Sequence, residues 1–507
     1  MADEWALPQP KKPIPRWLRR LLWIAAPLAG VLVIFVYCGL SRQWDTAGTG
    51  RWVRGAQLIS LWRLNWRRRP LHHRVLHALR FNVGRPGLTL ASATLPYAEE
   101  VQHSLVVGDT GTGKTSLIRS ALHQLATRGD RAIVFDRGGT LAVEFFTERR
   151  GDLILNGLDA RCPGWDLTDD IAGPGGPGAM AARAIQQPRE IQSGADRFWE
   201  TAGRAALAEV LMRARPLDPA TVARTLIVLG PQALADFVRG SAAAMLIDPK
   251  AANQTAGVRA MLAPVARALS MVPLGAARSW SAHEWVEREE GWLFLTTAPA
   301  QDDAADLLSA LWLDTLIAGL LAHNNSRRTF VVLDELASLQ PLPAVENLIT
   351  LGRQHNVAAI LGVQNIAQVE RLYGRHVRHT MLSQVKTRFV LRCSDPDTAD
   401  HVSREIGDRE REIEQTSISR GASRAGVTRG YTDIRQIGPL IIPSEVQRLP
   451  DRHGFVIHPC GVAKIVVPVI RPRVHAPGFI PRKDLPRPFL PPDDGPPTAP
   501  GAGIVVV

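Results

Sequence analysis

The eight residues Gly108-Asp109-Thr110-Gly111-Thr112-Gly113-Lys114-Thr115 constrain this chain more than any other stretch. They satisfy the spacing G-x-x-x-x-G-K-[ST]. They stand between a short apolar run, Ser104-Leu105-Val106-Val107, and a segment from Ser116 to Leu125 with Leu117, Ile118 and Leu122 at helical spacing. A strand, a glycine-rich loop and a helix in that order make a phosphate cradle. The glycines let backbone N–H groups close around a triphosphate, Lys114 reaches its β- and γ-phosphates, and the Thr115 hydroxyl ligates Mg²⁺. The expected binding loop is therefore Gly108 to Ser116, with ATP and Mg²⁺ as ligands. A glycine-rich turn without a ligand is the bland alternative.

The pattern downstream alternates between strand and helix. Arg131-Ala132-Ile133-Val134-Phe135-Asp136 is a second apolar strand ending in an acid, followed by Gly138-Gly139. From about Gly173 to Arg288 the sequence turns alanine-rich and helical, led by Gly173-Pro174-Gly175-Gly176-Pro177-Gly178. Strand signals return at Gly291 to Thr297, before a helix through Leu307 to Leu321, and again at Thr329 to Glu335, Val357 to Gln364, Lys386 to Arg392 and Gly454 to Ile457. The economical fold is α/β with a mostly parallel sheet, residues 98–172 and 289–470 forming the nucleotide-binding domain around an inserted all-α domain at 173–288.

In open parallel sheets ligands gather at the carboxyl ends of the strands, which would bring Gly108, Asp334 and Gln364 to one crevice. There Asp334 would share the Mg²⁺ shell with Thr115, and Glu335 would orient and polarise the attacking water. Two acids at a helix start after a buried strand are the structural alternative. Gln364 reads equally as a γ-phosphate sensor or as a loop hydrogen-bonder. The helix expected over Ala344 to His355 has its apolar stripe at Val345, Leu348, Ile349 and Gly352, leaving Arg353 at the edge. Most such arginines are solvated, but in ring-shaped motors a neighbour's arginine neutralises transition-state charge.

The chain has 507 residues, 45% of them hydrophobic, enough to bury cores in about three domains. That composition excludes a disordered protein. The net charge of +12 favours nucleic acid or an anionic membrane surface as partner. Cys38, Cys162, Cys393 and Cys460 stand singly, which fits free thiols in a reducing cytoplasm rather than a disulfide framework or a zinc motif. Leu21 to Leu40 carries no charge and has the length of a transmembrane helix, with Trp17, Trp23, Tyr37 and Trp44 near its two ends. A cleaved signal peptide is the competing reading, against which no small-x-small cleavage site stands out. Residues 1–45 are thus an N-terminal arm and membrane anchor, single-pass or a hairpin, with the large C-terminal part cytoplasmic, where ATP is. Residues 46–97 form a basic juxtamembrane segment whose Arg63-Leu64-Asn65-Trp66-Arg67-Arg68-Arg69 suits anionic headgroups or DNA. The proline-rich stretch 471–507 reads as a disordered tail, either a linker or a docking segment.

Three blocks carry a family resemblance: Val331-Val332-Leu333-Asp334-Glu335-Leu336-Ala337-Ser338-Leu339, Leu351-Gly352-Arg353-Gln354, and Leu361-Gly362-Val363-Gln364-Asn365 with Tyr373-Gly374. Together they resemble the TraD/TrwB-type coupling proteins of conjugative type IV secretion. Arg54 to Ile59, Asp196 to Trp199, Thr387 to Phe389 and Glu405 to Glu410 are similar to further family segments, so the likeness runs from about residue 20 to 470. It implies a membrane-anchored homo-hexameric ATPase with a RecA-like nucleotide domain and an inserted all-α domain. Such a protein captures a relaxase with single-stranded DNA and feeds it to the type IV secretion channel. The resemblance gives Lys114 and Thr115 as nucleotide and Mg²⁺ contacts, Asp334 and Glu335 as hydrolytic carboxylates, Arg353 as a trans-acting finger and Gln364 as a sensor. Many members have two transmembrane helices, whereas one span is legible here.

The leading expectation is a DNA-translocating ATPase, with Arg420, Arg424 and Arg429 in Ser417 to Tyr431 as candidate channel-loop cations or simply solvated loop residues. An FtsK-like pump lacks support from any long linker or C-terminal winged-helix pattern. Outside the motor class stand a nucleotide-switched docking receptor and a protein-export adaptor that handles no DNA.

Overall fold

Short apolar runs rich in β-branched residues become the strands of one nine-stranded sheet, because both of its faces are covered and a strand buried on both sides needs no polar alternation. The structure, a computed structural model, describes residues 50–68, 86–173, 176–186, 194–247, 250–297, 303–339, 342–420 and 427–484. The sheet strands are β1 (Ser104–Val107), β2 (Arg131–Arg137), β3 (Leu153–Leu155), β4 (Leu293–Thr297), β5 (Thr329–Leu333), β6 (Val357–Val363), β7 (Thr387–Val390), β8 (His453–His458) and β9 (Gly461–Val466). Their order is β9-β8-β7-β1-β6-β5-β2-β4-β3. Pairing is parallel from β7 across to β3, and β8 and β9 add an antiparallel hairpin to the β7 edge.

Helix α1 (Lys114–Arg128) follows β1 and buries Leu117, Ile118, Ala121, Leu122 and Leu125 as a continuous stripe. It stops where Gly129 adopts φ 70° and gives its N–H to Ala126, while the Asp130 N–H reaches the Leu125 carbonyl at 3.0 Å, a Schellman closure. Helix α2 (Asp303–Ala322) is, among the described residues, the one helix long and apolar enough to cross a membrane. It buries Leu308, Leu311, Trp312, Leu313, Leu316, Ile317 and Leu320, as a core helix does. The apolar run 21–40 lies outside the described residues.

Between Leu167 and Arg288 the described chain runs through helices Leu167–Ala172, Gly176–Ala184, Gly194–Arg213, Pro219–Val228, Pro231–Phe237, Ala252–Ser270 and Ala282–Arg288. One short strand interrupts them: Ser279–Trp280 pairs with Gly164–Trp165. The helices Gly194–Arg213 and Ala252–Ser270 approach closely at Gly257, where an added Cβ would lie 2.8 Å from the Trp199 ring.

Three expectations are corrected. The helix over Ala344 to His355 ends earlier: α3 (Pro343–Leu351) gives way to a 3₁₀ turn, Gly352–His355, closed by Asn356 at φ 56° because β6 begins at once with Val357. The candidate channel loop is largely strand, since Asp408–Arg420 and Val427–Pro439 are neighbours in a three-stranded sheet with Gly50–Gly55. Arg420 and Arg429 lie on those strands and Arg424 falls outside the described residues; the unbroken run of charges from Asp408 to Glu412 hid the first of the two strands. The described tail, residues 471–484, lies against the rest of the chain and is not a free segment. Its backbone bonds to the body instead of to itself: His475 and Ala476 N–H groups reach the Val143 carbonyl at 2.9 and 3.0 Å, Ala160 donates to Ile480 at 2.7 Å and Arg482 to Leu158 at 3.0 Å. Such a prolyl strap has no period of its own to read.

Gly50–Gly55 and Asp408–Gly438 belong to one compact unit, while Gln57–Asn65, Pro86–Gly407 and the residues from Pro439 belong to another, which holds the sheet and the helices. The stretch 46–97, read from sequence as a basic connector, contains the strand Gly50–Gly55, a helix Leu61–Arg68 and a hairpin of Leu88–Leu90 with Ala93–Leu95.

Candidate active site

The sheet order sets the site. Strand β6 lies between β1 and β5, with Val363 opposite Val107 and Leu361 opposite Leu333. The ends of three strands therefore stand side by side, delivering Gly108 from β1, Gln364 from β6 and Asp334 with Glu335 from just beyond β5. The two carboxylates sit one and two residues past the last strand residue, Leu333, rather than on the strand. At this level β6 has no room for a side chain: a Cβ on Gly362 would lie 2.1 Å from the Asp334 carbonyl oxygen.

The loop from Gly108 to Gly113 wraps the start of α1. Gly111 and Gly113 take φ values of 81° and 111°, a region that disfavours side chains. The Lys114 ammonium donates to the Gly108 carbonyl at 2.5 Å and to that of Asp109 at 3.3 Å. Thr115 Oγ1 donates to Asp334 at 3.2 Å (Oδ1) and 3.1 Å (Oδ2). Thr110 lies at the loop's exposed tip, Thr112 is buried with its hydroxyl on the Asp109 carbonyl at 2.7 Å, and Ser116 follows on the first turn of α1.

Burial sets the electrostatics. It pushes the Lys114 ammonium below its ordinary pKa, against the opposing pull of Glu335, Asp334 and Asp109. It raises Asp334, opposed by the Thr115 hydrogen bond and the Lys114 charge, and raises Glu335, opposed by the Gln364 amide and Lys114. Behind them Asp136, at the end of β2, is pushed up to about 6 by burial although it accepts N–H bonds from Leu141 and Ala142. The donors fit Mg²⁺, since a threonine hydroxyl and a carboxylate are hard oxygen ligands. Glu335 Oε1 is buried with no hydrogen-bond partner, an acceptor well suited to a water.

Arg353 does not join this cluster within the chain. It is exposed on the 3₁₀ turn after α3. That turn rests on His103, whose Nδ1 accepts the Ala359 N–H at 3.1 Å and whose Cε1 would lie 3.1 Å from a Cβ on Gly352.

Residues 87–469 match the model of the type IV secretion-system coupling protein DNA-binding domain. The chain belongs to this family of coupling proteins. It is 29% identical over 402 residues to coupling protein TraD of Escherichia coli K12, which covers 76% of this chain and 55% of TraD, so this coupling protein spans about half the length of that relative. It is 32% identical over 127 residues to conjugal transfer protein TraG of Rhizobium radiobacter, 25% of this chain and 20% of TraG. Among solved structures, the bacterial conjugative coupling protein TrwBdeltaN70 superposes with a TM-score of 0.72 at 24% identity, over 87% of this chain and 99% of that one. TrwB in complex with ADP and Mg²⁺ gives 0.71 at 23% identity, over 87% and 99%. The shared fold is the RecA-like P-loop α/β fold.

Two supports of the coupling protein's loop escaped the sequence reading. Asp109, a variable position of the motif, is held by Ser394 through its N–H at 2.9 Å and its hydroxyl at 2.6 Å. Arg452 donates its N–H to the Thr112 carbonyl at 3.0 Å and holds φ 65°. Neither carries a local pattern; only the sheet order brings the segments after β7 and before β8 to the loop.

Proposed function

We propose that this chain is the ATP-hydrolysing coupling protein of a conjugative type IV secretion system, which recruits a relaxase–DNA complex at the inner membrane and drives the DNA to the secretion channel. The observation that carries the reading is the Thr115–Asp334 contact, which joins the phosphate loop to the carboxylate pair in one crevice. In this reading the N–H groups of Gly108 to Ser116 and the Lys114 ammonium hold the triphosphate, and Thr115 and Asp334 hold Mg²⁺. Held by those two groups, Mg²⁺ would supply charge neutralisation to the triphosphate. Glu335 accepts a proton from the attacking water, and Gln364 senses the γ-phosphate beside it. Because Arg353 is exposed and outside its own crevice, it serves a neighbouring subunit of a homo-hexamer. Residues 98–172 and 289–470, apart from Asp408–Gly438 of the other compact unit, form the motor domain, and the helices of 173–288 form an inserted domain. The run 21–40 anchors the protein, with the basic residues after it against anionic lipid.

ATP hydrolysis by the full chain in detergent, with and without single- and double-stranded DNA, tests this. Turnover stimulated by DNA and abolished in Lys114→Ala is expected. Turnover that survives Lys114→Ala, or that ignores DNA in a hexameric preparation, overturns the motor.

A further inference from the structure

Strand β6 ends at Val363, and Gln364 and Asn365 lead straight into helix α4 (Ile366–Gln384). The Asn365 side chain accepts the Gln368 N–H at 2.7 Å, and the Ile366 N–H donates to Thr398 Oγ1 at 3.1 Å, so the helix is fixed one residue beyond Gln364. Along α4 stand Arg371, Arg375, His376, Arg378 and His379 against one acid, Glu370. Arg371 and His379 are exposed, and the side chains of Arg375 and His376 are 81% and 84% exposed. Glu370 serves two guanidinium groups, Arg375 at 3.4 Å and Arg378 at 3.1 Å, and His376 faces Glu346 at 3.4 Å. Gly374, at φ 85° and ψ 165°, divides the helix, so the cations fall on two short pieces joined at a non-helical residue.

The excess charge could suit either lipid headgroups or a nucleic-acid backbone. A helix that lies on a bilayer needs an apolar face to insert. The fully buried side chains of α4, Ile366, Val369 and Met381, already face the protein interior. Exposed arginine forks without such a face match phosphate oxygens along a strand.

We infer that the exposed basic face of α4 grips the phosphate backbone of the DNA and ties it, through Asn365, to Gln364 at the nucleotide site. The inference rests on the proposed DNA-handling function and names the surface that performs it. A grip on this element gives a direct path from γ-phosphate to cargo, because the residue beside Glu335 and the first residue of the helix are separated by one position.

The test uses the full chain in detergent with a labelled single-stranded oligonucleotide, followed by fluorescence anisotropy across a salt series. The double substitution Arg371→Ala with Arg375→Ala is expected to weaken binding about tenfold and to make the log–log salt slope shallower by about 1.4 for two lost phosphate contacts. DNA-free ATP hydrolysis should be unchanged, which also shows that the variant is folded, and Arg371→Lys with Arg375→Lys should restore most of the affinity. Unchanged affinity and slope in the alanine variant, while the unaltered chain binds, overturns the grip and leaves the DNA reading standing. An unaltered chain that binds no oligonucleotide overturns the DNA reading itself and the grip with it. Loss of binding to phosphatidylserine vesicles, with oligonucleotide binding intact, assigns the face to the membrane and overturns the proposal.

Discussion

Thr115 Oγ1 donates to Asp334 Oδ2 at 3.1 Å although 219 residues separate the two in sequence. In the proposed function this hydroxyl and carboxylate would supply the two protein donors of a Mg²⁺ shell. Thr115→Ala and Asp334→Asn should each lower Mg²⁺-dependent ATP hydrolysis by about a hundredfold, the loss of roughly 3 kcal/mol of transition-state stabilisation. Steady-state rates across a Mg²⁺ titration check this; variants that reach the unaltered rate at saturating Mg²⁺ would exclude a shared shell.

In the proposed mechanism Glu335 accepts a proton and does not hold the phosphates. Glu335→Gln keeps the size and removes the basicity, so turnover should fall by about 10²- to 10⁴-fold with affinity for a non-hydrolysable ATP analogue changed little. A matched fall in affinity would assign Glu335 to binding.

The exposed position of Arg353 separates its chemistry from that of its own crevice. Arg353→Ala should reduce turnover by about a thousandfold. Mixing Arg353→Ala chains with Lys114→Ala chains should then regain activity, because mixed rings of the proposed hexamer would contain an interface between an intact loop and an intact arginine. Mixtures no more active than either variant alone would show that Arg353 does not act between subunits.

Burial pushes Asp136 up to about 6 from 3.8. Between those pH values the unfolded chain gives up its proton while the folded one keeps it. The stability this group contributes is therefore complete below about pH 4 and lost as the pH rises through 6, about 3 kcal/mol in all. Asp136→Asn keeps an oxygen for the Leu141 and Ala142 N–H groups, so its stability should fall less between pH 4 and 7 by that amount. Urea midpoints of both chains at the two pH values measure the difference, and equal losses would place the Asp136 carboxyl at its ordinary pKa.

Gly362 has no space for a methyl group beside the Asp334 carbonyl. Gly362→Ala must push β6 from β5 and should cost at least about 1–3 kcal/mol in stability, with loss of hydrolysis from the displaced Asp334. Calorimetry and a rate assay check both; a stable, active variant would mean that the strands separate freely.

Much of the sheet was legible because buried parallel strands write themselves as apolar runs: β1, β2, β5 and β6 lie within a residue or two of where Ser104, Arg131, Thr329 and Val357 begin them. The loop and carboxylates of the site were legible for a related reason, since phosphate chemistry admits few residue types at fixed spacing. What escaped was held by partners far away in sequence. Asp109 looks interchangeable until Ser394 is set beside it, and the strap to Asp484 has neither helical nor strand period because its hydrogen bonds end on Val143, Leu158 and Asp159. The strands Asp408–Arg420 and Val427–Pro439 were hidden by charge, which the eye assigns to loops.

The phosphate loop is bound unequally on its two flanks. Towards β7 it is tied by Asp109 to Arg392 and Ser394, by Leu391 to Val107, and by Thr112 to Arg452. Towards β5 the tie is the Thr115 hydroxyl on Asp334, with the Gly108 N–H on Val363 at 3.2 Å between them. The cradle is thus fastened by several bonds to the segments beyond β7, whereas the carboxylates beyond β5 reach it through the Thr115 hydroxyl.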